Sequence, residues 1–355
     1  MDSAVAGVGR LGFTVPEPCG IVVAITPFNY PALLVCHKIG PALAAGNAVI
    51  LKPAETTPLT ALFLASCLLE AGIPDQALQC ITGPGSEVGP ALCSSDLVRK
   101  ISFTGSVAVG NAISRSAGAK RLTCELGSIS AVIVLADADP AHAAHEIVRS
   151  GYYNAGQVCI SAQRVVVERS RHDDLVEGII RGVDALRPGD PTSPETTIGP
   201  VITKTEAVRI VSRIESACRD GASVVRGGES ADAFVAPTVV LDVPSDSSLW
   251  AEELFGPAVG VRSADSLTEA IESVNETGFG LAMSVFTQDI DRALGFARHI
   301  KSGMVHVNSG PLFRTDSMPF GGVGKSGFGK EGVRYAMDEM TEQKLIVVHP
   351  GMNAQ

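Results

Sequence analysis

No two of the eight cysteines are spaced C-x-x-C, and no group of cysteines and histidines has the spacing of a metal centre. A chain this long needs no disulfide framework, so the thiols read as free and the compartment as a reducing cytoplasm. Positive charge is also short: 28 Lys and Arg stand against 38 Asp and Glu, a formal net charge of -10. That balance, with no basic cluster, argues against nucleic acid or an anionic membrane surface as partners and points to a small molecule. Long apolar runs are missing too. The stretch from Gly20 to Leu51 is interrupted by Pro27, Asn29, Pro31, His37 and Lys38, and residues 1–4 lack the basic and apolar regions of a signal peptide. Neither a membrane span nor a secretory leader is expected.

What is present is a globular composition, 45% hydrophobic and 19% charged over 355 residues, enough for about two domains. Ile21-Val-Val-Ala-Ile25 is short, β-branched and apolar on both faces, as in a strand buried in a parallel sheet. A helix fits residues 32–45, a strand 48–52, a helix through residue 72, a strand 77–82, a helix begun at Gly83, and a strand 100–103. This alternation predicts a doubly wound α/β sheet, which binds ligands at the carboxyl ends of its strands. No G-x-G-x-x-G occurs in this half, but Phe103-Thr-Gly-Ser106 lies where strand gives way to helix and could turn N–H groups toward a phosphate. A second unit begins beyond Gly127 with a strand at 132–135. Asp139-Pro140 then has cap and first-turn chemistry for a helix to about Ser150. His142 and His145 on that helix have no third ligand and read as a helical face, so no metal is expected. Further helices fit 173–186, 205–221 and 266–277, with strands at 222–228 and 302–308. The tail strand 342–348 has nothing after it to pair with and is expected to add to another subunit.

Cys159 stands in a turn of small residues, Asn154 to Gln163, between a helical run and the strand-like 164–168. It is a candidate nucleophile; the alternative is that it is one more small buried hydrophobe. Glu125 ends a short strand, and 318–329 is a glycine-dense loop that implies close backbone approach.

Pro27-Phe-Asn-Tyr-Pro31, Lys52-Pro-Ala-Glu55, Phe103-Thr-Gly-Ser106, Glu125-Leu-Gly127, Gly156-Gln-Val-Cys159, Glu252-Glu-Leu-Phe-Gly-Pro257 and Pro319-Phe-Gly-Gly322 occur in that order. Together they resemble the aldehyde dehydrogenase superfamily over essentially the whole chain. The nearest likeness is to members acting on lactaldehyde, glyceraldehyde 3-phosphate or phosphonoaldehydes. The resemblance implies a partial oligomerisation ribbon at 1–19, an NAD-binding domain at 20–126, an α/β catalytic domain at 127–333 and a C-terminal oligomerisation strand at 334–355, in a dimer or tetramer. It implies Cys159 as nucleophile, Asn29 with the Cys159 N–H as oxyanion site, and Glu125 as general base, which favours a free acid as product. Cofactor contacts carry over to Thr26, Pro27, Phe28, Lys52, Glu55, Gly105, Ser106, Gly127, Glu253 and Phe255. A negative Glu55 where a 2′-phosphate would sit favours NAD over NADP. Tyr30 and Arg314 are candidate substrate contacts, Arg314 suiting a polar or anionic aldehyde; the alternative is that Arg314 is a solvated loop or interface residue.

Two departures qualify the resemblance. Relatives carry a further segment before the one that opens this chain, which makes it a fragment, a missed start or a shortened member. Ser128 replaces a usual glycine beside Gly127. A shortened member without activity, serving as a subunit or binding module, is the alternative reading; a cysteine hydrolase would need a histidine base, and no histidine lies in a matched motif.

Overall fold

The computed structural model describes Gly7 and residues 9–349, so the expectations for residues 1–4 and 350–355 fall outside it. Its contacts divide the chain into two units: Met1–Thr104 with Asn111–Thr123 and Lys330–Gln355, and Gly105–Gly110 with Cys124–Gly329.

In the first unit β1 (Leu11–Pro18) and β2 (Ile21–Ile25) are followed by α1 (Leu33–Ala44), β3 (Ala48–Lys52), α2 (Pro58–Glu70), β4 (Leu78–Cys80), α3 (Gly85–Ser94) and β5 (Val98–Thr104). Then come α4 (Val107–Ser116) and β6 (Arg121–Glu125). The sheet order is β6-β5-β2-β3-β4, with β2 parallel to both β3 and β5. The first of these strands therefore lies inside the sheet, and the chain winds outward from it in both directions. The carboxyl end of β2 is the switch point at which such sheets take ligands. Val22, Ala24, Val49 and Leu51 are fully buried against Val35, Ile39 and Ala42 of α1 and Ala61 and Ala65 of α2. Each buried Val or Leu contributes roughly 1.5–3 kcal/mol by leaving water.

Two lysines of this core are completely buried. Lys38 Nζ donates to Glu331 at 2.7 Å and Ser102 at 3.0 Å, and Lys100 Nζ to Thr123 at 2.6 Å and Glu339 at 3.2 Å. Burial holds the Lys100 ammonium below its ordinary range, against the pull of Glu339. The tail strand, Thr341–Val348, has no strand after it and pairs back with β1 at the other end of the chain. It runs antiparallel to β1, from Leu11 opposite Val348 to Pro18 opposite Thr341.

The second unit holds a seven-stranded sheet in the order Met304–Val307, Ala282–Phe286, β7 (Ser130–Val134), β8 (Ala162–Glu168), Ala258–Ala264, Thr238–Leu241, Ser223–Arg226. It is parallel except at the last pair. Asp139 caps α5 (Pro140–Tyr152) by accepting from the Ala141 and His142 N–H groups, and the helix runs two residues past the expected Ser150. The strands at 238–241, 258–264 and 282–286 and the helix Ile290–His299 had no sequence expectation. Both units are thus α/β, as expected. Among the described residues no helix is long and apolar enough to cross a membrane.

Candidate active site

In the first unit the predicted residues gather at the carboxyl edge of the sheet. Ile25 of β2 is level with Lys52 of β3, and the Thr26 N–H donates to the Lys52 carbonyl at 3.1 Å. Thr26 is buried, and Pro27, Phe28, Asn29 and Tyr30 follow it half-buried; the Tyr30 carbonyl accepts from Leu34 in the first turn of α1. Lys52 is 3% exposed and donates to its neighbour's carbonyl, Pro53. The Glu55 carboxylate accepts from the Gly85 N–H at the start of α3, where an anion meets both an unsatisfied donor and the positive end of the helix dipole. A cavity of ≈ 210 Å³ opens here, lined by Pro53, Ala54, Glu55, Pro58, Thr82, Gly83 and Pro84.

In the second unit Glu125 meets the Gly105–Ser106 turn, and Gly127 and Ser128 meet Glu253. Glu125 closes β6 at 2% exposure, and its carbonyl accepts from the Gly105 N–H at 3.0 Å, which brings the Gly105–Ser106 turn to it. Ser106 opens α4, its hydroxyl accepting from Val109 at 3.4 Å. Opposite Glu125 runs Gly327, whose backbone lies so close that a Cβ would come within 1.8 Å of the Cys124 carbonyl. At Gly127 a Cβ would strike Glu253 Oε2 at 2.2 Å, and Glu253 Oε1 accepts from the Ser128 N–H at 2.9 Å. Burial pushes the Glu253 carboxyl up to about 7, against the downward pull of the Ser128 N–H, Arg209 and Arg213. The Ser128 hydroxyl is buried with no protein partner among the described residues.

Cys159 is half-buried in a turn between α5 and β8. Before it, Asn154, Ala155 and Gly156 are all left-handed, at φ 50°, 54° and 71°, a conformation that costs about 1–3 kcal/mol for each non-glycine residue. The surroundings hold it there. A Cβ on Gly156 would lie 2.0 Å from the Gly256 carbonyl, Gln157 Oε1 accepts from Ile202 at 2.8 Å, and the Ser161 N–H closes onto Val158 at 2.9 Å. Phe255, next to Gly256, is itself left-handed at φ 53°. Gln163 ties the base of the turn to the same segment through the Leu249 and Glu252 carbonyls and the Leu254 N–H, each at 2.8 Å. The structure therefore links Gly105, Glu125, Gly127, Glu253, Phe255 and the Cys159 turn in one unit, whereas Asn29, Lys52 and Glu55 belong to the other.

Arg314 stacks on Phe320, guanidinium carbon to ring centroid 4.1 Å. Beyond Phe320 the glycine loop returns to Glu125: the Ser326 carbonyl accepts from Leu126 at 3.1 Å, and its hydroxyl from the Gly280 N–H at 3.1 Å. Sequence reasoning gave no role to Gly256, Gln157 or Gln163, although two of them lie in matched motifs. Their part is to join two loops, which one-dimensional spacing does not display. Among the described residues no three His, Cys, Asp or Glu side chains are grouped to hold a metal ion.

The profile of the aldehyde dehydrogenase family matches residues 2–346. A 3-sulfolactaldehyde dehydrogenase of Priestia aryabhattai is 44% identical over 349 residues, covering 98% of this chain and 73% of that protein. The structure of the glyceraldehyde-3-phosphate dehydrogenase GapN of Methanocaldococcus jannaschii, complexed with NADP, superimposes with a TM-score of 0.94 at 38% identity over 96% of this chain and 75% of that one. An NAD-dependent aldehyde dehydrogenase of Sinorhizobium meliloti gives 0.95 at 36% identity, over 99% and 71%. The chain belongs to the aldehyde dehydrogenase family.

Proposed function

We propose that the protein oxidises an aldehyde to a carboxylic acid with NAD(P), through a thioester on Cys159. The observation that carries this reading is the Cys159 turn, a half-buried cysteine that follows three consecutive left-handed residues wedged against Gly256 beside Phe255. A strained, over-determined turn is how folds hold a nucleophile in one orientation. Residues fit for the cofactor are present: the cavity lined by Pro53 and Glu55, the side-chain-free surface at Gly127, and the buried Ser128 hydroxyl beside Glu253. When bound, the nicotinamide accepts the hydride. Lys52 and Glu55 would hold the adenosine ribose, Ser106 the pyrophosphate, and Glu253 with Phe255 the nicotinamide ribose and ring. We ascribe cofactor binding to residues 20–126 and catalysis to 127–333.

In this reading the Cys159 thiolate adds to the aldehyde carbon, and the oxyanion is held by the Asn29 amide and the Cys159 N–H. After the hydride has left, Glu125 takes a proton from water, whose oxygen adds to the thioester carbon, and the Cys159 thiolate departs. Burial at 2% exposure keeps bulk solvent from the Glu125 carboxylate. Arg314, fixed by Phe320 in the loop that returns to Glu125, would take the anionic or polar end of the substrate. The eight free thiols suit a reducing compartment such as the cytoplasm.

Single-turnover kinetics test this. Cys159→Ala should give no aldehyde-dependent NADH, and Glu125→Gln should give one equivalent of NADH per site and then stall with an acyl group on the protein. Steady turnover by either variant would overturn the reading.

A further inference from the structure

His142, Glu146 and Ser150 stand four residues apart on α5 and so share one face. That face receives three consecutive residues of another segment. His142 Nε2 lies 3.0 Å from the Asn308 carbonyl, and Glu146 Oε2 accepts from the Ser309 hydroxyl at 3.4 Å and the Gly310 N–H at 2.9 Å. Ser150 lies directly under Gly310, where a Cβ would come within 2.0 Å of its hydroxyl. Glu146 is 8% exposed; burial alone would raise its pKa, but the Gly310 N–H and Arg149 outweigh this and hold it below the usual carboxylate range. The corner is fixed from its other side as well. Asn308 is left-handed at φ 55°, its amide bonds the Thr287 N–H and carbonyl at 2.9 and 2.8 Å, and its own N–H reaches the Val285 carbonyl at 2.8 Å.

Two chains of the candidate site are thereby referred to one helix. The end of α5 runs out through 153–158 to Cys159, and the corner on its flank leads to Arg314 four residues later. We propose that Glu146 is a positioning residue that docks the Asn308–Gly310 corner on α5 and so sets where Arg314 meets an anionic substrate relative to Cys159. The inference rests on the reading of Arg314 given above. Without the buried carboxylate the Gly310 N–H loses its acceptor, the corner lifts, and the arginine no longer meets the far end of the substrate at fixed reach.

The test uses the full chain with two aldehydes of equal carbon number, succinic semialdehyde and butanal, and reads kcat and KM for each. Arg314→Ala should raise KM for the carboxylate-bearing aldehyde relative to butanal by about tenfold or more, the worth of a charge-assisted bond. Glu146→Ala should shift the same ratio in the same direction, on KM more than on kcat, and Glu146→Gln, which keeps an acceptor for Gly310, should restore most of it. His142→Phe keeps a ring against Phe286 but removes the Asn308 contact, and serves if Glu146→Ala melts early. An unchanged ratio in Arg314→Ala overturns the reading of Arg314. A changed ratio there, with parental ratios in both Glu146→Ala and His142→Phe, overturns the inference alone.

Discussion

Glu253 can lie against the β6 exit only because position 127 has no side chain, and its burial there raises its acid. In the unfolded chain the carboxyl titrates near 4.5, and in the folded protein near 7. Folded protein therefore holds the proton more tightly, and stability declines as pH rises from about 4.5 to about 7, where the charge must be accommodated. Glu253→Gln removes this slope: its melting temperature relative to the parent should rise between pH 5 and pH 8 in a thermal-shift series, and a constant difference would refute the shifted pKa. At this scale the sequence is legible where a single residue type marks a motif. Cys159, Glu125 and Glu253 stood out within short motifs. It was silent where function depends on the absence of atoms facing a distant segment, as at Gly156 under the Gly256 carbonyl, because a motif shows that a glycine is present but not what passes over it.

On the proposed reading the amino end of α3 bears on cofactor choice. Glu55 occupies it, accepting the Gly85 N–H, so the element best suited to a phosphate is already taken by the protein's own anion. Glu55→Gln keeps an acceptor for Gly85 but removes the charge, and should improve kcat/KM for NADP relative to NAD by about tenfold, the effect of removing one close like charge. Steady-state kinetics with both cofactors checks this, and an unchanged ratio would remove Glu55 from the discrimination. Elements were legible where local chemistry marks their ends. Asp139-Pro140 announced α5, and the β-branched run 21–25 announced β2. The strand Ala258–Ala264 escaped notice because it follows the Glu252–Pro257 segment with two alanines and a glycine among its seven residues; only its place between β8 and Thr238–Leu241 makes it a strand. His142 reads as part of an exposed face of α5, but what lies on the His142, Glu146 and Ser150 face comes from residue 308 onward, beyond any helical periodicity.

Across the whole chain, the longest-range feature is the pairing of β1 with Thr341–Val348; the tail reads as a strand from its sequence, but nothing local names its partner. The ribbon shows apolar side chains to solvent, Leu11 62%, Phe13 44% and Leu345 57% exposed, and a two-stranded ribbon is marginal by itself. We therefore expect it to meet a second copy of the chain. Leu345→Glu should lower the mass found by light scattering to that of a smaller assembly, and an unaltered mass would place the oligomer interface elsewhere. The same pairing, with Glu331 and Glu339 beneath it, bears on the order in which the protein is made. Lys38 and Lys100 are sealed in the first unit, but their counter-ions are translated near the end of the chain. Multidomain chains usually fold from the amino terminus as they leave the ribosome. Here the second unit, complete by Gly329, has all its segments first. The buried ion pairs of the first unit close only once Glu331 and Glu339 have been made, so residues 20–104 complete their core after the unit that follows them in the chain.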